Sequence, residues 1–165
     1  MYYHIMPSPI GDLLLAGNDE ALRLVHFQSG PRPLQPDPHW EPAARPLREA
    51  IRQLQAYFDG RLRNFELPLA PEGTAFQLKV WRALRTIPYG KTWSYGELAR
   101  HIRNPSASRA VGAANGQNPI PVIVPCHRVI GADGSLTGFG GGLAIKQKLL
   151  ALEGALPVHR QAAMF

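Results

Sequence analysis

The sequence predicts a small α/β domain over residues 1–72, built from a short sheet and a helix, followed by a mainly α domain over residues 73–165. Short apolar runs separated by turn residues fill the first part, whereas apolar residues at helical spacing dominate the second. The charge also changes. Residues 1–75 hold seven basic and nine acidic side chains, and residues 76–165 hold eleven and three. A basic half of this kind is typical of a domain that binds a polyanion such as nucleic acid. An ordinary solvated basic surface explains the same charge equally well.

Composition excludes several classes of protein. With 165 residues, 45% hydrophobic and 18% charged, the chain can bury a core, and wholesale disorder is excluded. No apolar run approaches the roughly 20 residues of a membrane helix. The N-terminus lacks a basic stretch followed by an apolar one, so we expect a cytoplasmic protein without a signal peptide. A single cysteine excludes an internal disulfide and a zinc site of several thiolates.

The first domain is expected to have a structural role. Five prolines between residues 29 and 42 indicate a loop. Leu47, Ile51, Leu54 and Phe58 recur at helical spacing, with Gly60 just beyond the predicted helix. The predicted strands cover residues 2–6, 13–16, 22–27 and about 65–67.

The second domain is predicted to contain a helix-turn-helix. A helix over residues 76–84 ends at Pro88-Tyr89-Gly90, and Ser94 and Glu97 stand at the spacing of a capping box for a helix ending at Ile102. Asn104 and Pro105 are expected to start the next helix, which runs to about Ala114. Any αα-hairpin gives this pattern, so the pattern alone is weak evidence for a helix-turn-helix. A final helix over residues 143–153 offers Ile145, Leu149 and Leu152 for packing.

Arg109 lies among small residues in the second of these two helices. Ala107, Ala110, Gly112 and Ala113 leave that helix without large apolar side chains. A face of this kind is poor core material, but it allows close approach to a flat or grooved partner with one long cation projecting.

Cys126 follows a proline-bounded apolar segment, residues 119–125, that predicts a buried extended chain. A lone cysteine is most often inert packing, but here His127 follows it directly and a base favours the reactive thiolate. Because consecutive side chains of an extended chain face opposite sides, His127 could act only through a turn or a bridging water. Glu153 is a candidate to orient the imidazole, or else an ordinary solvated glutamate.

The sequence contains no motif typical of a nucleotide cofactor or a metal ion. The glycine-rich loop, residues 137–142, is not followed by the Lys-Ser/Thr of a phosphate-binding loop, so a nucleotide cofactor is not expected. The six histidines show no metal-ligand spacing, so no metal is expected either.

The motif Pro-Cys-His-Arg-Val at residues 125–129, with the glycine-rich loop after it, closely resembles the O6-alkylguanine-DNA alkyltransferases, which are self-inactivating DNA repair proteins. Upstream, Ile87-Pro88-Tyr89-Gly90, Ser94-Tyr95, Arg109-Ala110-Val111-Gly112 and Asn118-Pro119 continue the match in order. Residues 74–154 resemble the family closely and the first 70 residues only loosely. The resemblance implies a winged-helix-like arrangement of the helix-turn-helix.

The resemblance also assigns roles to residues. Cys126 would accept the alkyl group in one displacement, from O6-alkylguanine and also from O4-alkylthymine. His127, through a water, and Glu153 would generate the thiolate. Asn118 would brace the turn that leads to the cysteine. Tyr95 would meet the target phosphate and donate a proton toward the departing guanine.

In this family, the helix-turn-helix lies in the DNA minor groove and the damaged base is flipped out of the stack. Arg109 would then fill the gap that the base leaves. The remaining expected contacts are Ser94, Tyr95, Ala110, Gly112 and Arg128 with DNA, and Val129, Phe139, Gly140 and Tyr95 around the base. Phe139 departs from the tyrosine that is usual in the family, so a hydroxyl is lost from the pocket.

The expected partner is therefore double-stranded DNA. The resemblance implies a monomer that works without a cofactor, a metal or a membrane. Two other classes remain as alternatives. One is a lesion-binding protein without chemistry, although relatives of that kind lack the cysteine. The other is a Cys-His hydrolase, which would turn over many times and would not need DNA.

Overall fold

The computed structural model describes residues 1–155. The chain divides into two compact units, Met1–Glu72 and Gly73–Phe165. The predicted fold class is confirmed, because a small sheet with one long helix forms the first unit and short helices dominate the second.

The first unit is built on a four-stranded sheet in the order β3-β2-β1-β4. The central strand β2 is buried along its whole length, which fits its apolar sequence Leu-Leu-Leu-Ala-Gly. The pairs β1–β2 and β2–β3 are antiparallel, whereas β4 runs parallel to β1. The strands are β1 (Tyr2–Met6), β2 (Leu13–Gly17), β3 (Leu22–Phe27) and β4 (Glu41–Pro42).

Strand β4 lies inside the proline-rich stretch that the sequence predicts as a loop. Its two residues pair with Tyr2 and Tyr3 at the edge of the sheet. Proline is tolerated at an edge because its missing N–H need not complete a ladder. The loop prediction is therefore wrong at Glu41 and Pro42.

Helix α1 (Arg48–Phe58) follows a 3₁₀ turn, Arg45–Leu47, and buries Leu54 and Tyr57. The strand expected around residues 65–67 is absent from this part of the structure. Instead the buried Gln53 side chain donates to the Glu66 carbonyl at 3.0 Å and accepts from the Glu66 N–H at 2.9 Å. The Gln53 side-chain amide thus takes the place of a neighbouring strand. In this segment only Leu69 forms a β-bridge, and its partner is Leu22.

Two helices of the second unit begin where a side chain caps them. Thr74 and Ser94 each form a capping box, with Gln77 and with Glu97, and so satisfy backbone N–H groups that a helix start leaves free. The Ser94–Glu97 box is the one that the sequence predicts. The helices are α2 (Ala75–Leu84), α3 (Tyr95–His101), α4 (Ser108–Gly116) and α5 (Leu143–Leu152).

Helix α4 begins three residues later than expected. The Asn104 carbonyl accepts the Ala107 N–H at 3.0 Å, which closes a turn, and the helix starts at Ser108. Asn104 and Pro105 therefore belong to the connection between α3 and α4, and the prediction that they start the helix is wrong. The residues still join two short helices by a tight turn.

The segment before Cys126 is buried, as expected, but it is not extended. Residues 121–123 form turns, Val122 takes a left-handed φ of 73°, and Cys126–Arg128 form a 3₁₀ turn. Extended chain returns only at β6 (Val129–Ile130), which pairs in parallel with β5 (Trp93–Ser94). Prolines at 119, 121 and 125 remove three N–H donors, so this segment is poorly suited to a strand.

Helix α5 packs with a different face from the one expected. Leu149 is fully buried as predicted, but Leu152 is 36% exposed, and Lys146 and Leu150 have no exposed surface. Residues 146, 149 and 150 lie one helical turn apart, so they share the inward face. A lysine therefore occupies a position in the core of this unit.

Candidate active site and DNA-binding surface

The lone cysteine lies at the start of the 3₁₀ turn and is only 4% exposed. Burial raises the pKa of the Cys126 thiol to about 11, although a hydrogen bond from Asn118 and the charge of Lys146 act in the opposite direction. The resting thiol is therefore protonated near neutral pH. Its use as a nucleophile requires a base, because the thiolate is the reactive form.

His127 and Glu153 form a buried pair. The His127 Nε2 atom lies 2.8 Å from Glu153 Oε2, and neither side chain has exposed surface. Because a carboxylate only accepts, Nε2 carries the proton and Nδ1 carries a lone pair. Within residues 1–155, this Nδ1 atom has no hydrogen-bond partner. Burial lowers the pKa of His127, so the neutral imidazole is a free proton acceptor beside the cysteine.

Arg128 is turned into the interior. It is 6% exposed, donates to both oxygens of Glu153 at 2.8 and 3.0 Å, and donates to the Ile87 carbonyl at 2.6 Å. A guanidinium held in this way is not available to DNA, so the expectation that Arg128 contacts DNA is corrected. Burial raises the pKa of Glu153, but the hydrogen bonds from His127 and Arg128 outweigh it and hold that pKa at about 2.

Two asparagines fix the backbone around the nucleophile. Asn118 donates to the Val124 carbonyl at 2.8 Å and accepts the Ile120 N–H at 3.0 Å, which braces the turn that leads to Cys126. Asn115, at the buried end of α4, donates to the Cys126 carbonyl at 3.3 Å. Asn115 is a functional residue that the sequence motifs do not predict. Its signal is a polar residue next to Ala114 on the inward side of an otherwise small-residue helix.

Tyr95 lies between the second helix of the helix-turn-helix and the glycine-rich loop. Its hydroxyl is 3.0 Å from Thr137 Oγ1, and side-chain atoms placed on Gly112 or Gly138 would meet the tyrosine at about 3.6 Å. Gly138 has a φ of 45°, a left-handed conformation that glycine adopts without cost. The loop therefore approaches Tyr95 closely.

The expected pocket residues lie on this loop and beside the nucleophile. Phe139 is partly buried and Gly140 is exposed in the loop, and Val129 is fully buried directly after the 3₁₀ turn.

Helix α4 has an exposed face of small residues. Arg109, Ala110 and Ala113 are exposed, Gly112 is partly exposed, and Val111 and Ala114 are buried. The Trp81 indole donates to the Ala114 carbonyl at 2.8 Å, which anchors α4 on α2. Ser94 is partly exposed at the start of α3, where its hydroxyl caps that helix.

The described part of the chain holds no group of three or more side chains suited to a metal ion. Over the same residues, no helix combines the length and the apolar character that crossing a bilayer needs.

Comparison with protein families matches both units. The family described as "6-O-methylguanine DNA methyltransferase, DNA binding domain" matches residues 75–155, and its "ribonuclease-like domain" matches residues 1–71. The chain belongs to the 6-O-methylguanine DNA methyltransferase family. The resemblance inferred from Pro125 to Val129 is thereby confirmed, and it extends to the first unit.

Individual relatives agree with this family over nearly the whole chain. The methylated-DNA–protein-cysteine methyltransferase of Methanosarcina acetivorans is 57% identical over 155 residues, which cover 94% of this chain and 99% of the relative. The Mycolicibacterium paratuberculosis protein of the same name is 53% identical, covering 92% and 91%. Mycobacterium tuberculosis OGT, solved in complex with DNA, has a TM-score of 0.87 and 49% identity, and each chain is covered to 96%.

Proposed function

We propose that this protein repairs O6-alkylguanine in double-stranded DNA by one irreversible transfer of the alkyl group to Cys126. Its family acts in direct-reversal repair, by alkyl transfer to a cysteine. The observation that carries the residue assignment is the arrangement around the thiol. The only cysteine of the chain begins the turn in which His127 offers a free lone pair while Glu153 holds its other nitrogen.

The proposed reaction is a single displacement. The thiol proton passes through a water to His127 Nδ1, and Glu153 stabilises the resulting imidazolium. The sulfur then bonds to the alkyl carbon as the bond between that carbon and O6 breaks. The bonding electron pair leaves with guanine, which takes a proton from the Tyr95 hydroxyl, and the histidine proton restores the tyrosine through solvent. No cofactor enters this balance, and the thioether ends the reaction.

DNA binding is assigned to the α3–turn–α4 motif. The exposed face of Arg109, Ala110 and Gly112 has no set of long polar side chains to read bases, which suits a minor groove recognised by shape. Ser94 and Tyr95, at the start of α3, would meet the phosphate of the target nucleotide. The similar Mycobacterium tuberculosis structure, which contains DNA, supports DNA as the partner.

The flipped base would enter between the glycine-rich loop and the segment after the nucleophile. Backbone groups near Val129 and Gly140 would read the guanine edge, and the Phe139 ring would form a wall. Because Phe139 has no hydroxyl, this wall cannot donate to the leaving guanine, and Tyr95 remains the proposed proton donor. The same pocket would admit O4-alkylthymine. The protein would act as a monomer in the cytoplasm.

Intact-protein mass spectrometry tests this proposal. After mixing with a duplex that contains one O6-methylguanine, we expect the protein to gain the mass of one CH₂. The gain should map to Cys126 and saturate at one per molecule. An unchanged mass with tight DNA binding would indicate a lesion-binding protein instead. Product formation over many turnovers, without DNA, would indicate a Cys-His hydrolase.

Replacing Arg109 with alanine should slow repair in duplex DNA far more than attack on free O6-benzylguanine. Base extrusion costs a few kcal/mol and is needed only in the duplex, so the loss of about 1.4 kcal/mol of assistance slows repair tenfold. Single-turnover rates on both substrates measure the difference. Arg82→Ala, which removes an exposed arginine from the last turn of α2, outside the α3–turn–α4 motif, is the matched control. Equal losses on both substrates would contradict the role assigned to Arg109.

A further inference from the structure

Lys146 is a fully buried lysine that the reaction above does not use. It lies on α5 without exposed surface, and its ammonium donates to the Val129 carbonyl at 2.6 Å and to the Thr137 carbonyl at 2.7 Å. Among residues 1–155 it forms no ion pair with a carboxylate. Lysine is almost never fully buried unless it is paired, so this position requires an explanation.

The two carbonyls belong to the two backbone segments that flank the proposed base pocket. Val129 directly follows the 3₁₀ turn of the nucleophile, and Thr137 begins the glycine-rich loop. The Tyr95 hydroxyl lies 3.0 Å from the Thr137 side chain, so Thr137 is held from two sides. One ammonium therefore joins the loop to the chain that carries the cysteine.

The charge of Lys146 also has no nearby compensation, apart from a thiolate on Cys126. The neighbouring charges of Arg128 and Glu153 already pair with each other, and His127 is neutral in the resting site. Burial lowers the pKa of Lys146 to about 8, so the ammonium form predominates at neutral pH. This positive charge lowers the pKa of the Cys126 thiol, against the larger effect of burial.

We propose that Lys146 is a positioning residue for the alkyl transfer, which holds the glycine-rich loop against the segment after Cys126 and supplies the unpaired positive charge that favours its thiolate. This inference rests on the proposed function. Lys146 donates to two backbone carbonyls, which every residue carries. The position of its ammonium therefore does not depend on the side chains of the loop. The anionic sulfur that forms before the displacement then meets a fixed positive charge in a buried site, where solvent screens charges weakly.

Lys146→Met tests the proposal, with Lys148→Met as a matched control, because Lys148 is an exposed lysine on the same helix. The single-turnover rate with free O6-benzylguanine is measured from pH 6 to 10, together with duplex affinity by fluorescence anisotropy. Because Lys146 has a pKa of about 8 and loses its charge within this range, we expect the pH–rate profile of the unchanged protein to bend near pH 8. We expect Lys146→Met to abolish this bend and to lower the neutral-pH rate about tenfold, since one unit of thiol pKa changes the thiolate fraction tenfold. Lys148→Met should overlay the unchanged protein.

Lys146→Arg separates the charge from the shape of the site. It keeps a positive charge at every pH measured, so we expect no bend near pH 8 and a smaller loss of the neutral-pH rate than in Lys146→Met. A rate loss in Lys146→Met that leaves the bend near pH 8 in place would overturn the proposal, because a purely structural role predicts that result. Unchanged rates would overturn it as well. If Lys146→Met does not fold, Lys146→Gln, which keeps a donor for one carbonyl, is held to the same expectation.

A direct titration of the thiol distinguishes this proposal from the proposed function. The rate of Cys126 modification by iodoacetamide against pH reports its ionisation without any alkylguanine. If the unchanged protein transfers no alkyl group but Lys146→Met still lowers the neutral-pH rate of modification and removes its bend near pH 8, the proposed function fails and the electrostatic role of Lys146 stands. If transfer occurs and Lys146→Met leaves the modification profile unchanged, the role of Lys146 fails alone.

Discussion

Cys126→Ala is expected to bind DNA that contains O6-methylguanine and to transfer no methyl group from it. The substitution removes the only thiol of the chain, and no other side chain in the described site replaces it as a nucleophile. Because Cys126 is 4% exposed and the small-residue face of α4 lies elsewhere, we expect the affinity for duplex to change by less than about twofold. Mass spectrometry of the protein and quantitation of O6-methylguanine in the DNA measure both.

Residual repair by Cys126→Ala would contradict the assignment of the acceptor. Cys126→Ser is the companion variant, because it keeps a similar volume and a hydrogen-bonding group while removing the thiol. Its thermal unfolding should match that of the unchanged protein, which would show that lost transfer does not reflect a lost fold.

Glu153→Gln is expected to have the second largest effect, on both rate and stability. The carboxylate holds His127 and accepts two hydrogen bonds from the buried Arg128. Removing its charge leaves the guanidinium uncompensated, which costs about 3–5 kcal/mol when a buried pair is broken. The transfer rate should fall by about 100-fold or more, because the imidazolium loses its stabilising anion. Urea unfolding and single-turnover kinetics measure the two effects.

The stability difference should depend on pH in a defined direction. The pKa of Glu153 is about 2 in the folded protein, against a model-compound value of 4.5. Its contribution is therefore complete above about pH 4.5 and is lost as the pH falls toward 2. Glu72→Gln, in the exposed ion pair with Arg23, is the control and should cost less than about 1 kcal/mol. A difference between Glu153→Gln and the unchanged protein that is the same at pH 7 and pH 3 would contradict this explanation.

Local signals predicted most helices and strands. The period of apolar residues located α1 and α2, and alternating short runs located β1 to β3, because burial of one face produces these spacings. Two of the expectations that turned out wrong depended on distant partners. Glu66 bonds to the Gln53 side chain rather than to a strand, and the edge strand at Pro42 exists only because β1 leaves an edge open. No local propensity records either partner.

The site residues show the same division. The motif around Cys126 and the family resemblance identified His127 and Glu153, which the fold brings within 2.8 Å of each other from opposite ends of a 26-residue interval. The family resemblance implies a DNA contact for Arg128, yet its guanidinium donates to the buried Glu153 and lies inward. The packing face predicted for α5, Ile145, Leu149 and Leu152, leaves Lys146 out, and only its two backbone carbonyl partners reveal its position.

The burial of Cys126 also affects how long each protein molecule keeps a reactive thiol before it meets a lesion. Oxidation of cysteine by peroxide, and its capture by stray electrophiles, follow thiolate character and exposure. A thiol that is 4% exposed, with a pKa near 11, is protected on both counts. Because the protein reacts once, a molecule whose thiol has reacted with peroxide or another electrophile can no longer repair DNA. The same burial that makes Cys126 depend on His127 as a base therefore keeps the thiol intact until the protein meets a lesion.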